Sequence, residues 1–181
     1  MNFNKALKLF SAIIICELAA VVGSVFTVSE IKGWYSLLEK PTFNPPNWIF
    51  GPVWSILFLL MGVSLYFVWV EKFEVKNQLG ITKKKAWNEW SEKLWVGEWQ
   101  KINIVVVFAL QLVLNILWSV IFFGMHNPGL AFFELLILWF SIIYTILNFY
   151  RVSKIAAYLL IPYILWVSFA GVLNLVIWLL N

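Results

Sequence analysis

The sequence has no aspartate, one histidine (His126) and one cysteine (Cys16). Without aspartate there is no Asp-based catalytic dyad or triad. One histidine and one cysteine fall short of the ligand set of a structural zinc site. A lone cysteine builds no disulfide framework. No glycine-rich phosphate loop follows a strand pattern. Charge is also scarce: 12% of residues are charged, where soluble domains carry about 25%. No metal and no resident cofactor are expected from such a residue set.

What is present is apolar. Hydrophobic residues make up 62% of the 181, more than a chain this short can bury in one water-soluble core. Lipid must be the solvent for most of it. The net charge of +4 is not a nucleic-acid signal. Charge concentrates between Glu71 and Lys101 and at the ends of apolar runs, which is a topology pattern. Five runs are long enough to cross a hydrocarbon core, which takes about 20 helical residues. They lie near Leu7–Val28, Trp48–Val70, Ile102–Phe123, Gly129–Phe149 and Ala156–Leu180. None shows the two-residue alternation of a membrane strand. The expected fold is all-α: one five-helix transmembrane domain over residues 1–181. Lys5 and Lys8 precede the first run as in a signal peptide, but its length and Glu17 argue against cleavage.

Lysine and arginine set the expected orientation. The N-terminus, the 71–101 loop and the turn with Arg151 and Lys154 share one side, leaving only Lys32 and Lys40 on the other. The positive-inside rule places the N-terminus and the 71–101 loop in the cytoplasm and the C-terminus outside. Within that loop Trp87, Trp90 and Leu94 recur at i, i+3, i+7. This predicts a short amphipathic helix at the headgroup surface, weakening near Gly97.

The helix faces carry the rest. Gln111, Asn115 and Trp118 share one face of the third helix; Trp166, Ala170 and Asn174 share one of the fifth; Trp54, Phe58 and Met61 share one of the second. Amides are costly in hydrocarbon, so these faces point inward. They serve either interhelical packing or the walls of a pocket. Trp69, Trp95, Trp99 and Trp178 fit an interfacial aromatic belt. Glu17 and Glu134 are intramembrane acids; the second suits a helix N-terminus, while the first has no evident partner. His126 reads as an interfacial turn residue. Pro41, Pro45 and Pro46 stiffen the loop before the second helix, with Asn47 as its expected cap. Pro52 and Pro162 are expected to kink their helices.

The stretch Gly33–Trp48 reads GWYSLLEKPTFNPPNW. It is followed by Gly51-Pro-Val-Trp54, Met61-Gly62, Gln111 with Asn115 and Trp118, and Phe122-Phe-Gly124. Pro162-Tyr-Ile-Leu-Trp166, Phe169-Ala170 and Leu173-Asn174 complete the series. In this order the chain resembles the translocator protein family, also called tryptophan-rich sensory proteins or peripheral benzodiazepine receptors. The resemblance implies a five-helix bundle, often homodimeric, with one cavity under the first loop. That cavity would take porphyrins and other flat, drug-like apolar ligands. Carried over by motif, Tyr35, Pro45, Trp54, Phe58, Asn115, Trp118, Trp166 and Ala170 would line it. Gln111 and Asn174 share their inward faces. Two functions follow: a receptor or carrier for protoporphyrin, or light-dependent porphyrin breakdown with Trp54 and Trp166 as reacting groups. Animal relatives carry a proposed cholesterol motif at the end of the fifth helix, with a tyrosine and a basic residue. Neither occurs here, which puts cholesterol specificity in doubt. Looser matches occur at Val63, Tyr66 and Lys72 and at Leu147, Tyr150 and Lys154. Some relatives dimerise through small residues on the third helix. Val106 and Leu110 stand there, and a small stripe (Ala12, Cys16, Ala20, Ser24) lies on the first helix instead.

Overall fold

The computed structural model describes residues 3–71, 73–76, 82–85 and 95–181, with side chains described at 3–71 and 104–181. Among the described residues there are seven α-helices: α1 (Phe3–Lys32), α2 (Trp34–Leu37), α3 (Asn47–Val70), α4 (Trp95–Ser119), α5 (Pro128–Val152), α6 (Lys154–Leu159) and α7 (Ile161–Leu180). A π-helical turn, Val120–Gly124, extends α4. Five helical segments are long and apolar enough to cross a membrane, with α6 and α7 forming one span. Their outward faces are greasy: Phe10, Leu18, Val25, Val113, Leu147 and Leu165 are exposed. In water such a surface would be strongly unfavourable; against acyl chains it is at no disadvantage. The expected five-helix membrane bundle is therefore what the chain forms.

The departures have local causes. The first helix runs about one turn beyond its apolar core at each end, to Phe3 and Lys32, because charged ends can continue a helix into the headgroups. The third begins at Trp95, ahead of the expected Ile102, and Ile104–Gly124 within it is long and apolar enough to span. Gly97 therefore lies inside a helix rather than ending one. The 71–101 loop also holds a hairpin, β1 (Phe73–Lys76) against β2 (Thr82–Lys85), antiparallel with Phe73 opposite Lys85. The amphipathic helix expected over Trp87–Leu94 lies outside the described residues.

Asn47 does not cap α3. It is the first helical residue, Pro46 takes the cap position, and no side chain caps this end. Asn127 does cap α5: its Oδ1 accepts from the Leu130 N–H at 2.9 Å, with Pro128 opening the helix. Pro52 leaves α3 unbroken; within the second turn it removes only the bond to the Trp48 carbonyl. Pro162 does interrupt, and Leu160 is the joint between α6 and α7.

Two glycines set helix spacing. A Cβ on Gly62 would stand 2.6 Å from the Ile13 Cα, so α1 and α3 touch backbone to backbone there. A Cβ on Gly129 would meet the Trp178 indole at 2.8 Å. The small stripe on α1 is internal: Ala12 and Cys16 are fully buried, and Ala20 and Ser24 turn to the cavity described next. Val106 and Leu110 are exposed on the outside of α4.

Candidate functional site

Residues 33–46 form a lid joining α1 to α3. At that end of the bundle α1, α3, α4 and α7 part around a cavity of about 290 Å³. The close contact at Gly62 holds α1 and α3 together farther down, so they diverge toward the lid. Wall residues Val21, Ser24, Val28, Gly51 and Ser55 are also exposed, so the cavity opens sideways between α1 and α3.

The walls are mainly aromatic. α3 supplies Phe50, Trp54 and Phe58; α4 and its π turn supply Trp118, Phe122 and Phe123; α7 supplies Trp166. Trp54 packs on Phe58 with centroids 5.8 Å apart. Trp118 stacks on Phe122 at 5.0 Å, and Trp166 meets Phe50 edge to face at 5.9 Å. The π turn lets Ile121, Phe122 and Phe123 all be buried. Three successive residues on a regular helix would sweep one of them outward.

The polar wall residues are held in place. Trp118 Nε1 donates to Asn174 Oδ1 at 3.0 Å, and Asn174 Nδ2 donates to the Pro128 carbonyl at 2.7 Å. Asn115 Nδ2 donates to the hydroxyl of fully buried Tyr163 at 2.8 Å. These bonds tie α4, α5 and α7 together and fix the Trp118 plane. The Trp166 N–H is buried with no acceptor, a burden of about 1–3 kcal/mol.

The lid is tied at several points. The Tyr35 hydroxyl donates to Asn44 Oδ1 at 3.0 Å, and Lys40 Nζ sits 4.7 Å above the Tyr35 ring. Burial pushes the Tyr35 phenol above its ordinary pKa. The Glu39 N–H donates to Asn181 Oδ1 at 2.9 Å, and Asn181 Nδ2 donates back to the Glu39 carbonyl at 3.1 Å. His126 stacks on Trp34 at 4.5 Å and lies 3.0 Å from Glu30 Oε2. It is thus a contact between the π turn and the lid, more than a lone interfacial residue.

Tyr35, Trp54, Phe58, Asn115, Trp118, Trp166, Ala170 and Asn174 all line this cavity. Pro45 and Gln111 do not. Pro45 lies in the lid with its carbonyl accepting from Asn44 Nδ2 at 3.0 Å. Gln111 is one turn below Asn115, fully buried, with neither amide atom partnered. The cavity ends above it because α1 and α3 have closed together. Glu134 is buried without a hydrogen-bond partner for either oxygen, and it lies beyond the first turn of α5, where capping would reach it. Glu17 lines the cavity; it was legible as an intramembrane acid, but not as a wall residue. Among the described residues no group of three or more His, Cys, Asp or Glu side chains could hold a metal ion.

A lid over an aromatic hollow inside five lipid-facing helices defines a multi-pass membrane protein with an internal apolar cavity. The chain is similar to known proteins along most of its length. The "Tryptophan-rich protein TspO" of Chlorobaculum tepidum is 41% identical over 179 residues, 98% of each chain. Its namesake in Archaeoglobus fulgidus is 37% identical over 175 residues, 97% of each. The human "Translocator protein" is 35% identical over 162 residues, 90% of this chain and 83% of its own. A sequence model of the TspO/MBR family matches residues 12–179, and the chain belongs to that family.

Proposed function

We propose that the protein is a membrane receptor or carrier that takes tetrapyrroles such as protoporphyrin IX, and other flat apolar ligands, into the cavity beneath the lid. The observation that carries this reading is the convergence of Trp54, Trp118 and Trp166 from three helices on one hollow. Aromatic faces favour flat π-systems, and each stacked pair adds about 0.5–1.5 kcal/mol beyond area burial. The volume sits at the lower edge of small-molecule sites, roughly 300–1,000 Å³. A macrocycle therefore extends one edge through the opening between α1 and α3. Its carboxylates would face the lid end, where Lys32 and Lys40 lie. The same reading places the lid outside the cell and the 71–101 loop in the cytoplasm. Sensing and transport are both uses of such a site.

Titration of the purified protein with protoporphyrin IX in the dark, followed by tryptophan quenching, tests it. Saturable binding is expected, weakened about tenfold by the Trp54→Phe/Trp166→Phe double variant. Non-saturable quenching, equal in both proteins, would exclude the cavity as the site. A second reading is light-dependent porphyrin breakdown, favoured by Trp54 and Trp166 lining the same cavity. It requires loss of the porphyrin absorbance under illumination that needs both indoles. Bleaching at the same rate without protein would end it.

A further inference from the structure

Glu17 is the one wall residue that neither the aromatic lining nor the hydrogen-bonded amides explain. It stands midway along the 30-residue α1, inside a segment long and apolar enough to span a membrane. It is half-buried and lines the cavity on the opening side. Every other wall residue is apolar, aromatic, glycine or an uncharged polar residue. Among the described residues no hydrogen bond or ion pair reaches its carboxyl. The ion pair they do show joins His126 to Glu30, near the lid. Lys8, the nearest basic residue along α1, lies more than two turns away with its Nζ over the Trp69 ring.

An acid at this depth is costly unless something compensates it, and such residues mark ligand or ion paths. The rest of the wall does not supply compensation. Among the described residues Asn115 Nδ2 donates to Tyr163, and the buried Trp166 N–H bonds to no acceptor, Glu17 included. A donor on what fills the cavity can therefore satisfy Glu17.

We infer that Glu17 sets ligand choice: the cavity selects flat aromatic ligands that carry a cationic or N–H donor group on the edge facing α1. This rests on the cavity being the ligand site. A carboxylate accepting a charge-assisted hydrogen bond at one edge of the ligand fixes its orientation, while the indoles hold its faces. Neutral rings of the same shape fill the hollow but leave the acid unpaired, and acidic edges are repelled. For a tetrapyrrole, whose N–H groups point into the ring, the propionate carboxylates would turn away from α1.

The test compares 9-aminoacridine, a flat tricyclic cation at neutral pH, with acridine, its neutral counterpart. Both are titrated against the protein in uncharged detergent, with protoporphyrin IX as competitor. The expected result is tighter binding of 9-aminoacridine by about tenfold or more, displaced by protoporphyrin. Glu17→Gln brings the ratio of the two affinities close to one, and Glu17→Asp keeps a clear preference. A ratio near one in the wild type, or one untouched by Glu17→Gln, overturns the inference while protoporphyrin binding leaves the cavity reading standing. If protoporphyrin and both acridines fail to bind, the cavity reading falls and takes this one with it.

Discussion

Gly51 and Gly62 are three turns apart on α3 and under opposite constraints. A methyl group on Gly62 would run into the α1 backbone at Ile13, which cannot step aside without moving the whole helix. One on Gly51 meets nothing within 4 Å. Gly62→Ala should therefore destabilise the protein by about 1–3 kcal/mol through overpacking. Gly51→Ala should be neutral or stabilising by up to about 1 kcal/mol, since alanine is the better helix former. Thermal unfolding of both variants in detergent checks this; equal losses would mean that α1 and α3 are not in backbone contact. Residues of this kind were half legible. The three- and four-residue spacings of Asn115 with Trp118 and of Trp166 with Ala170 gave their faces correctly, because a helix face is a matter of angle. It put Gln111 with them because angle says nothing of depth. Where the cavity stops depends on Gly62 meeting Ala12 and Ile13, a long-range contact with no local signature.

At the scale of elements, the lid is the part whose chemistry can be titrated. Tyr35 holds Asn44 through its hydroxyl, and burial raises its pKa, so the folded lid binds that proton more tightly than an unfolded one. The stabilisation is complete below the phenol's ordinary value of 10.0 and is lost as pH rises through the raised one. Hydrogen exchange of the backbone at residues 38–46 should be flat across neutral pH, once corrected for intrinsic rates. It should accelerate above about pH 10, and Tyr35→Phe should abolish that step. A wild-type lid with no alkaline step would show that Tyr35 is not buried in the closed form. The prolines announced a stiff loop, and the loop is tied down. Its ties were less legible: Asn181 reaching Glu39 and His126 stacking on Trp34 span 142 and 92 residues of sequence respectively. The π turn escaped altogether, since Val120–Gly124 has the same apolar composition as the helix before it. Only three adjacent buried residues betray it.

For the whole molecule, what the bundle leaves open is which way it faces, and the charges carry a prediction. Lys8 lies against Trp69, which puts the start of α1 and the end of α3 at one end of the bundle. Arg151 and Lys154 sit at the α5–α6 joint, which antiparallel passage of the chain brings to that same end. Lys32 and Lys40 are the basic residues of the lid end. Translocating the lysine-rich 71–101 loop would oppose the positive-inside bias, so the prediction is a cavity mouth that faces outward. Single cysteines can report this without disturbing the core, because Cys16 is fully buried and shielded from a soluble reagent. Ser36→Cys, exposed in the lid, should react with a membrane-impermeant maleimide on intact cells. Glu71→Cys, exposed where α3 ends, should react only after permeabilisation. The reverse pattern would put the cavity on the cytoplasmic side, and any ligand would then be gathered from inside the cell.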